Sequence, residues 1–494
     1  MIKNITIVGG GSAGWMTAAT LIKFFPNKKI TLIESPTVST VGVGESTLEF
    51  ISRWAKLLEI DEKNFLKETD GSYKLSIKFT DFYKKGEAFH YPFGDPEIIP
   101  NSSGLNDWWF KKILNPKTPS TDYADSYYKQ MLYVNSNTFA PYLPKAYHFD
   151  ATKFGIWLRD KYCIPKGVKH IKENINTIEQ DKNGIKSLNK KHKADLFIDC
   201  TGFKSLLLGE TLKEEFISYN DLLPNDSAWA TKIPYKNKKK ELVSYTNCTA
   251  IENGWVWNIP LWSRIGTGYV YSSKFVDDDT ALKEFQKHLK TKELDFKKIK
   301  MRVGIHKRLW VKNVCAIGLS AGFIEPLESN GLFSVHEFLI NLVRQLQREN
   351  VSQFDKDNFT YYCRQIFRNF SEFVSLHYAL SHRDDTPYWR NNLNKQWSST
   401  LIDRLPVLAE GIDSAVISRN FLYQHNIDGG LHCIAAGMNW SPTDMISLLQ
   451  NYGKDIIPEL EQTVINLENR KKEWKNDFKD LPKLYDYLKN NIHK

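Results

Sequence analysis

Three features of the chain predict an α/β fold: a short apolar strand that runs into a glycine-rich turn, a second strand that ends on an acid, and a late strand–glycine–helix unit. The first is Ile5 to Val8, followed by Gly9-Gly10-Gly11-Ser12-Ala13-Gly14 and an apolar helical run from Met16 to Phe25. Gly9 permits the tight turn, Gly11 lets backbone N–H groups approach an anion, and Gly14 lets helix and strand pack closely. The helix start at Ser12 and Ala13 offers unpaired N–H groups, so the turn can hold a diphosphate. Pro26 ends the helix, Lys29 to Ile33 reads as the second strand, and Glu34 follows Gly14 by about 20 residues, where an acid can bind a ribose hydroxyl. Together these predict a Rossmann-type dinucleotide module; the bland alternative is a tight strand–helix turn with no ligand. The turn itself does not separate FAD from NAD.

Composition agrees with a large globular chain. Its 494 residues, 41% of them hydrophobic, exclude a disordered or fibrous protein and allow two or more domains. The 67 basic residues outnumber 57 acidic ones, but the lysines are dispersed, with Lys238 to Lys240 the longest run, so they read as solvated faces and not as a nucleic-acid stripe. Six cysteines lie far apart with no CxxC pair, which signals neither a metal site nor a disulfide framework and fits a reducing cytoplasm. The N-terminal apolar stretch is taken up by the glycine turn, and no run of about 18 apolar residues is present to span a membrane. Aromatic residues make up 13% of the chain, 14 of them Trp, which suits large cores or a flat aromatic ligand.

Further along, Val41 to Thr47 reads as strand-like with Gly42 and Gly44 close to a ligand, and Leu48 to Leu58 as an amphipathic helix. Tyr73 to Phe79 alternates strictly, predicting one strand with Tyr73, Leu75, Ile77 and Phe79 on one face and Lys74, Ser76 and Lys78 on a solvated one. Residues 88 to 146 read as irregular loops with short helices, and Phe149 to Lys161 as a helix capped by Asp150. A hairpin is expected around Asn183-Gly184, a buried strand at Leu196 to Asp199, and mostly strands from Ala228 to Phe275. Arg308 to Ile317 reads as a strand closed by Gly318, and Leu319 to Gly331 as a loop feeding a helix from Leu332 to Gln347, which aims a second helix start at the site begun at Gly9. Helices dominate from Asn358, and the division falls near residue 390, giving regions 1–390 and 391–494.

Several stretches, in order over most of the chain, resemble flavin-dependent halogenases of the tryptophan-halogenase type: Gly9 to Met16, Val43-Gly44-Glu45-Ser46-Thr47, Ser72-Tyr73-Lys74 with Ile77-Lys78-Phe79, His148 to Ala151, Trp255-Val256-Trp257-Asn258-Ile259-Pro260, Arg302 to Gly304, Phe323 to Ser329 and Arg383 to Pro387. The resemblance implies a glutathione-reductase-like, para-hydroxybenzoate-hydroxylase-like FAD module with a mixed or antiparallel substrate sheet and a C-terminal helical pyramid. It implies that FADH₂ and O₂ oxidise halide to hypohalous acid, which passes through the protein to an aromatic substrate.

The family's essential lysine falls on Lys74, a long cation able to hydrogen-bond hypohalous acid or form a haloamine. Glu328 matches its substrate-side carboxylate, which polarises the electrophile or accepts the ring proton; the alternative is an acid at the start of the next helix. Ser329, Asn330 and Gly331 match the segment that meets halide and flavin, with Asn330 where the family has Thr. Val43, Gly44, Glu45 and Gly318 join the flavin set. Phe93 matches a ring that stacks on substrate, and Tyr91 stands where the family has His. Trp255 and Trp257 read as a wall between flavin and substrate, or as core. Near Asn420 to Gly437 the chain departs from the family, which favours an indole- or phenol-like arene over free tryptophan. His377, His425 and His432 lack metal-ligand spacing and read as structural. A separate flavin reductase is the expected partner, homo-oligomerisation is left open, and an aromatic hydroxylase without halide is the competing reading.

Overall fold

Strand Asn4–Val8 lies inside a six-stranded sheet whose order is Trp310–Val311, Val314–Ala316, Leu196–Asp199, Asn4–Val8, Lys29–Glu34, Lys169–Lys172. All pairings are parallel except the first, as expected when helices cross over its faces. The computed structural model describes residues 2–38, 44–97, 105–393, 428–439, 441, 456–476, 478 and 481–494. Helix Ser12–Phe24 follows the glycine turn, and Ile5, Ile7, Trp15, Met16 and Leu21 are fully or almost fully buried around it. The late unit packs on it: helix Gly331–Leu346 lies between Ser12–Phe24 and the 27-residue helix Gln353–Ala379.

A second, seven-stranded sheet runs Lys297–Lys300, Ser227–Ile233, Ile265–Tyr271, Gly254–Pro260, Tyr245–Ile251, Ser76–Thr80, Ala88–Pro92, antiparallel except between Tyr245–Ile251 and Ser76–Thr80. A small sheet, Glu45–Ser46, Ala146–Phe149 and Ser72–Lys74, stands beside it. The expected single strand from Tyr73 to Phe79 is therefore two strands in two sheets, divided at Leu75, whose N–H donates to the Ser244 carbonyl over 2.6 Å. Lys74 is not on a solvated face: it is 0% exposed, because both sides of this segment face protein. Strict alternation reports the pleat and says nothing of what covers each face.

Other elements shift less. Arg308 to Ile317 is a tight hairpin of two short strands, with Lys312 at the turn in a left-handed conformation (φ 54°). Asp150 caps the helix Ala151–Trp157 by accepting from the N–H groups of Thr152 and Lys153, and the chain then widens into a π-helix at Leu158–Cys163. The hairpin at Asn183-Gly184 joins Ile178–Asp181 to Gly184–Leu188. Val41 to Val43 lie outside the described residues, as do residues 394–427 of the region expected beyond residue 390, and the helix Pro387–Leu393 runs across that expected division. Among the described residues no helix is long and apolar enough to cross a membrane.

Candidate active site

The glycine turn, the late loop and the seven-stranded sheet enclose a cavity of about 750 Å³, within the range of cofactor sites. Gly9, Gly11, Ser12, Ala13 and Glu34 line it from the first sheet, and Gly318, Ser329, Asn330 and Gly331 from the late unit. Gly44 and Glu45 also border it, while Val43 falls outside the described residues. Gly9 has φ 117°, as the turn requires, and a Cβ on Gly14 would sit 1.9 Å from the Gly9 carbonyl oxygen. Gly14 thus packs and does not line. A Cβ on Gly318 would come 2.7 Å from the Ala13 Cβ, so the two turns abut.

The cavity fits a flat dinucleotide on its own chemistry. Helix Ser12–Phe24 has no side-chain cap, so its first N–H groups are free for a diphosphate. A Cβ on Gly11 or Gly331 would meet nothing within 4 Å, leaving both backbones open to a ligand. Glu34 stands at its strand end, with Oε2 2.8 Å from His170 Nε2. Trp255 and Trp257, with ring centroids 6.1 Å apart, form part of the far wall.

Lys74 reaches the late loop at Ser329. Its Nζ donates to the Thr47 carbonyl and to Ser329 Oγ, each over 2.9 Å, and lies 5.0 Å from the Phe93 ring centroid. Burial pulls its pKa down to about 7, against the upward pull of Cys248 and Glu328. Phe93, Tyr91 and Glu328 line a second, smaller cavity of about 40 Å³, together with Phe370 and Phe373. Lys74 itself lines neither space, but its contacts border both: Ser329 the large one, Phe93 the small one.

Consecutive residues divide the same way. Glu328 borders the small cavity and Ser329 the large one, and the left-handed backbone at Ser329 (φ 58°), costly for a non-glycine residue, turns the chain between them. Glu328 is 0% exposed, with Oε1 2.8 Å from His377 Nε2 in a poorly aligned contact, and neither oxygen has a well-formed hydrogen bond. Asn330 Oδ1 is likewise buried and has no partner among the described residues.

The sequence profile described as tryptophan halogenase matches residues 4–453. The chain belongs to the tryptophan halogenase family. The tryptophan 6-halogenase ThaL of Streptomyces albogriseolus is 31% identical over 529 residues, covering 99% of this chain and 98% of the relative. The apo structure of VirX1 superimposes with a TM-score of 0.90 at 36% identity, covering 100% of both chains. Tar14, a tryptophan C-6 flavin-dependent halogenase from taromycin biosynthesis, does so with a TM-score of 0.86 at 30% identity, covering 99% of each. The chain is accordingly a flavin-dependent halogenase acting on an aromatic ring, and the hydroxylase reading is not favoured.

Sequence reasoning passed over several residues of this halogenase's site. His377, read as structural, is the residue that meets Glu328; helical periodicity marked it only as a core position. Thr47 holds Lys74, and Ser46, Thr246 and His148 continue the polar contacts from Ser329. Ser46, Thr47 and His148 belong to the quoted family stretches, which was the available signal. His432 instead meets Tyr123 OH at 3.1 Å, and His425 lies outside the described residues.

Proposed function

We propose that the enzyme delivers electrophilic halogen, generated in the large cavity, through Lys74 to an indole- or phenol-like arene held against Phe93 and Tyr91 beside the small one. The observation that carries this is a fully buried lysine whose contacts border both spaces. Bound FAD, supplied as FADH₂ by a separate reductase, provides together with O₂ the oxidising equivalents for halide. Its diphosphate is assigned to the Gly9–Gly14 turn and the first helix start, its ribose to Glu34, and its ring system to the space beside Gly44, Glu45, Gly318 and Gly331. Ser329, Asn330 and Gly331 are the assigned halide segment, and the Asn330 amide, whose Oδ1 has no partner among the described residues, takes part in setting halide preference.

Two Lys74 N–H groups are spoken for, by Thr47 and Ser329, so the ammonium has one left. That N–H binds the oxygen of hypohalous acid, donates its proton as the oxygen–halogen bond breaks, and releases water while the ring carbon takes the halogen. Glu328 then accepts the ring proton; a buried carboxylate short of hydrogen bonds is suited to it. Phe93 and Tyr91 form the assigned substrate platform, and Phe370, Phe373 and Pro92 give the small cavity an apolar side suited to an arene, with Glu49 and Arg53 also on its lining. Product mass spectrometry with chloride, bromide and iodide supplied in turn tests the reading: halogen isotope patterns support it, and an oxygen adduct with every halide replaces it with hydroxylation.

A further inference from the structure

A chain of hydrogen bonds leads from Lys74 into the protein, and its direction is set at both ends. Lys74 Nζ donates to Ser329 Oγ, which lies 2.9 Å from Ser46 Oγ, itself 2.6 Å from Thr246 Oγ1. Thr246 Oγ1 is 2.8 Å from His148 Nε2, His148 Nδ1 is 3.4 Å from Ser72 Oγ, and Ser72 Oγ donates to the Pro260 carbonyl over 2.5 Å. Ser46, His148 and Ser72 stand in register across the small three-stranded sheet, so the fold holds this row as one rung.

The ammonium can only donate and the Pro260 carbonyl can only accept. Ser72 has committed its hydrogen to Pro260, so it accepts from His148 Nδ1–H, which leaves Nε2 of a neutral imidazole as an acceptor. Thr246 then donates to His148, Ser46 to Thr246, and Ser329 to Ser46. Each hydroxyl points away from Lys74, and Ser329 offers the lysine only lone pairs. Burial, and secondly the charge of Lys74, hold His148 well below its ordinary range, so the imidazole stays neutral. The other titratable groups acting on Lys74 are Cys248 and Glu328.

We propose that His148 is a positioning residue for halogenation: acting through Thr246, Ser46 and Ser329, it forces an acceptor onto Lys74 and leaves the third N–H for the halogen donor. This rests on Lys74 as the anchor of the electrophile, but its consequence is read on the lysine itself. Removing the acceptor at either point lets the Ser46 and Ser329 hydroxyls turn back toward Lys74, which destabilises the ammonium relative to the amine.

The test is the titration of Lys74 by ¹³Cε NMR in flavin-free protein, with Lys74→Met identifying the resonance. In Thr246→Val, which keeps side-chain shape, and in His148→Leu, the Lys74 pKa is expected to fall by about one pH unit, a tenfold gain in amine at a given pH. Thr246→Ser and His148→Gln, which keep a donor and an acceptor at those points, are expected to titrate as the wild type. Equal titration in Thr246→Val, Thr246→Ser and wild type, with circular dichroism unchanged, overturns the proposal. A shifted titration with halogenation surviving in Lys74→Ala would uphold the directed chain and refute instead the reaction assigned to it.

Discussion

Lys74→Met removes a charge that the folded chain carries at a cost. A fall in pKa from 10.5 to about 7 corresponds to roughly 5 kcal/mol, at ~1.4 kcal/mol per tenfold. Methionine has similar length and adapts to the same space, but the Thr47 carbonyl loses its donor, a loss of ~1–3 kcal/mol. The net expectation is a variant more stable than the wild type by roughly 2–4 kcal/mol near neutral pH. Because the lysine binds its proton more weakly in the folded chain than in the unfolded one, both states are protonated below pH 7 and the folded one bears the whole cost. Between about 7 and 10.5 the folded lysine is already neutral and the cost fades; above 10.5 it is gone. Urea denaturation followed by tryptophan fluorescence, near pH 6 and near pH 10, reads this directly. The midpoint of Lys74→Met should exceed that of the wild type at the lower pH and approach it at the higher one. A lower midpoint near pH 6, or a gap indifferent to pH, would show that the ammonium is not desolvated as described. The same variant should reoxidise FADH₂ with O₂ and yield no halogenated arene.

If the ammonium is the working form, halogenated product per FADH₂ consumed should decline as pH rises through about 7; a yield that climbs over that window would point to attack by the free amine. Glu328→Gln keeps the shape but not the basicity, and single-turnover halogenation should slow by ~10²–10⁴-fold with flavin reoxidation intact; an unaltered rate would assign the ring proton to another acceptor. Asn330→Thr should alter the relative rates with chloride, bromide and iodide, measured in competition; unchanged ratios would remove Asn330 from halide selection.

The nucleotide half of the fold was legible because its signals are local. Gly9 makes the turn and Gly14 packs as their spacing implied, Gly11 lines the cavity, and the strand at Lys29 ends on Glu34 there. Lys74 was legible only through family resemblance: its own neighbours, Tyr73 and Leu75, alternate as they would on a wet surface, and its cover comes from Thr47 and Ser329, distant in sequence. The same holds for His377 beside Glu328 and for His148 beside Thr246, where periodicity finds the face but not what lies across from it. The break at Leu75 escaped notice because no glycine or proline marks it; the strand changes sheets by exchanging partners, Ala146 opposite Lys74 and Tyr245 opposite Ser76.

The meeting of Ala13 with Gly318 bears on how the enzyme comes into being. The wall that faces the first turn is encoded some three hundred residues later, behind the strand Leu196–Asp199 that must first separate Asn4–Val8 from Val314–Ala316. During synthesis at roughly 5–20 residues per second, a ribosome needs tens of seconds to travel from one side of the pocket to the other. Prematurely terminated products lacking the second side would have the glycine turn but no enclosure, so retention of the yellow cofactor reports translation past the last lining residue, Phe367.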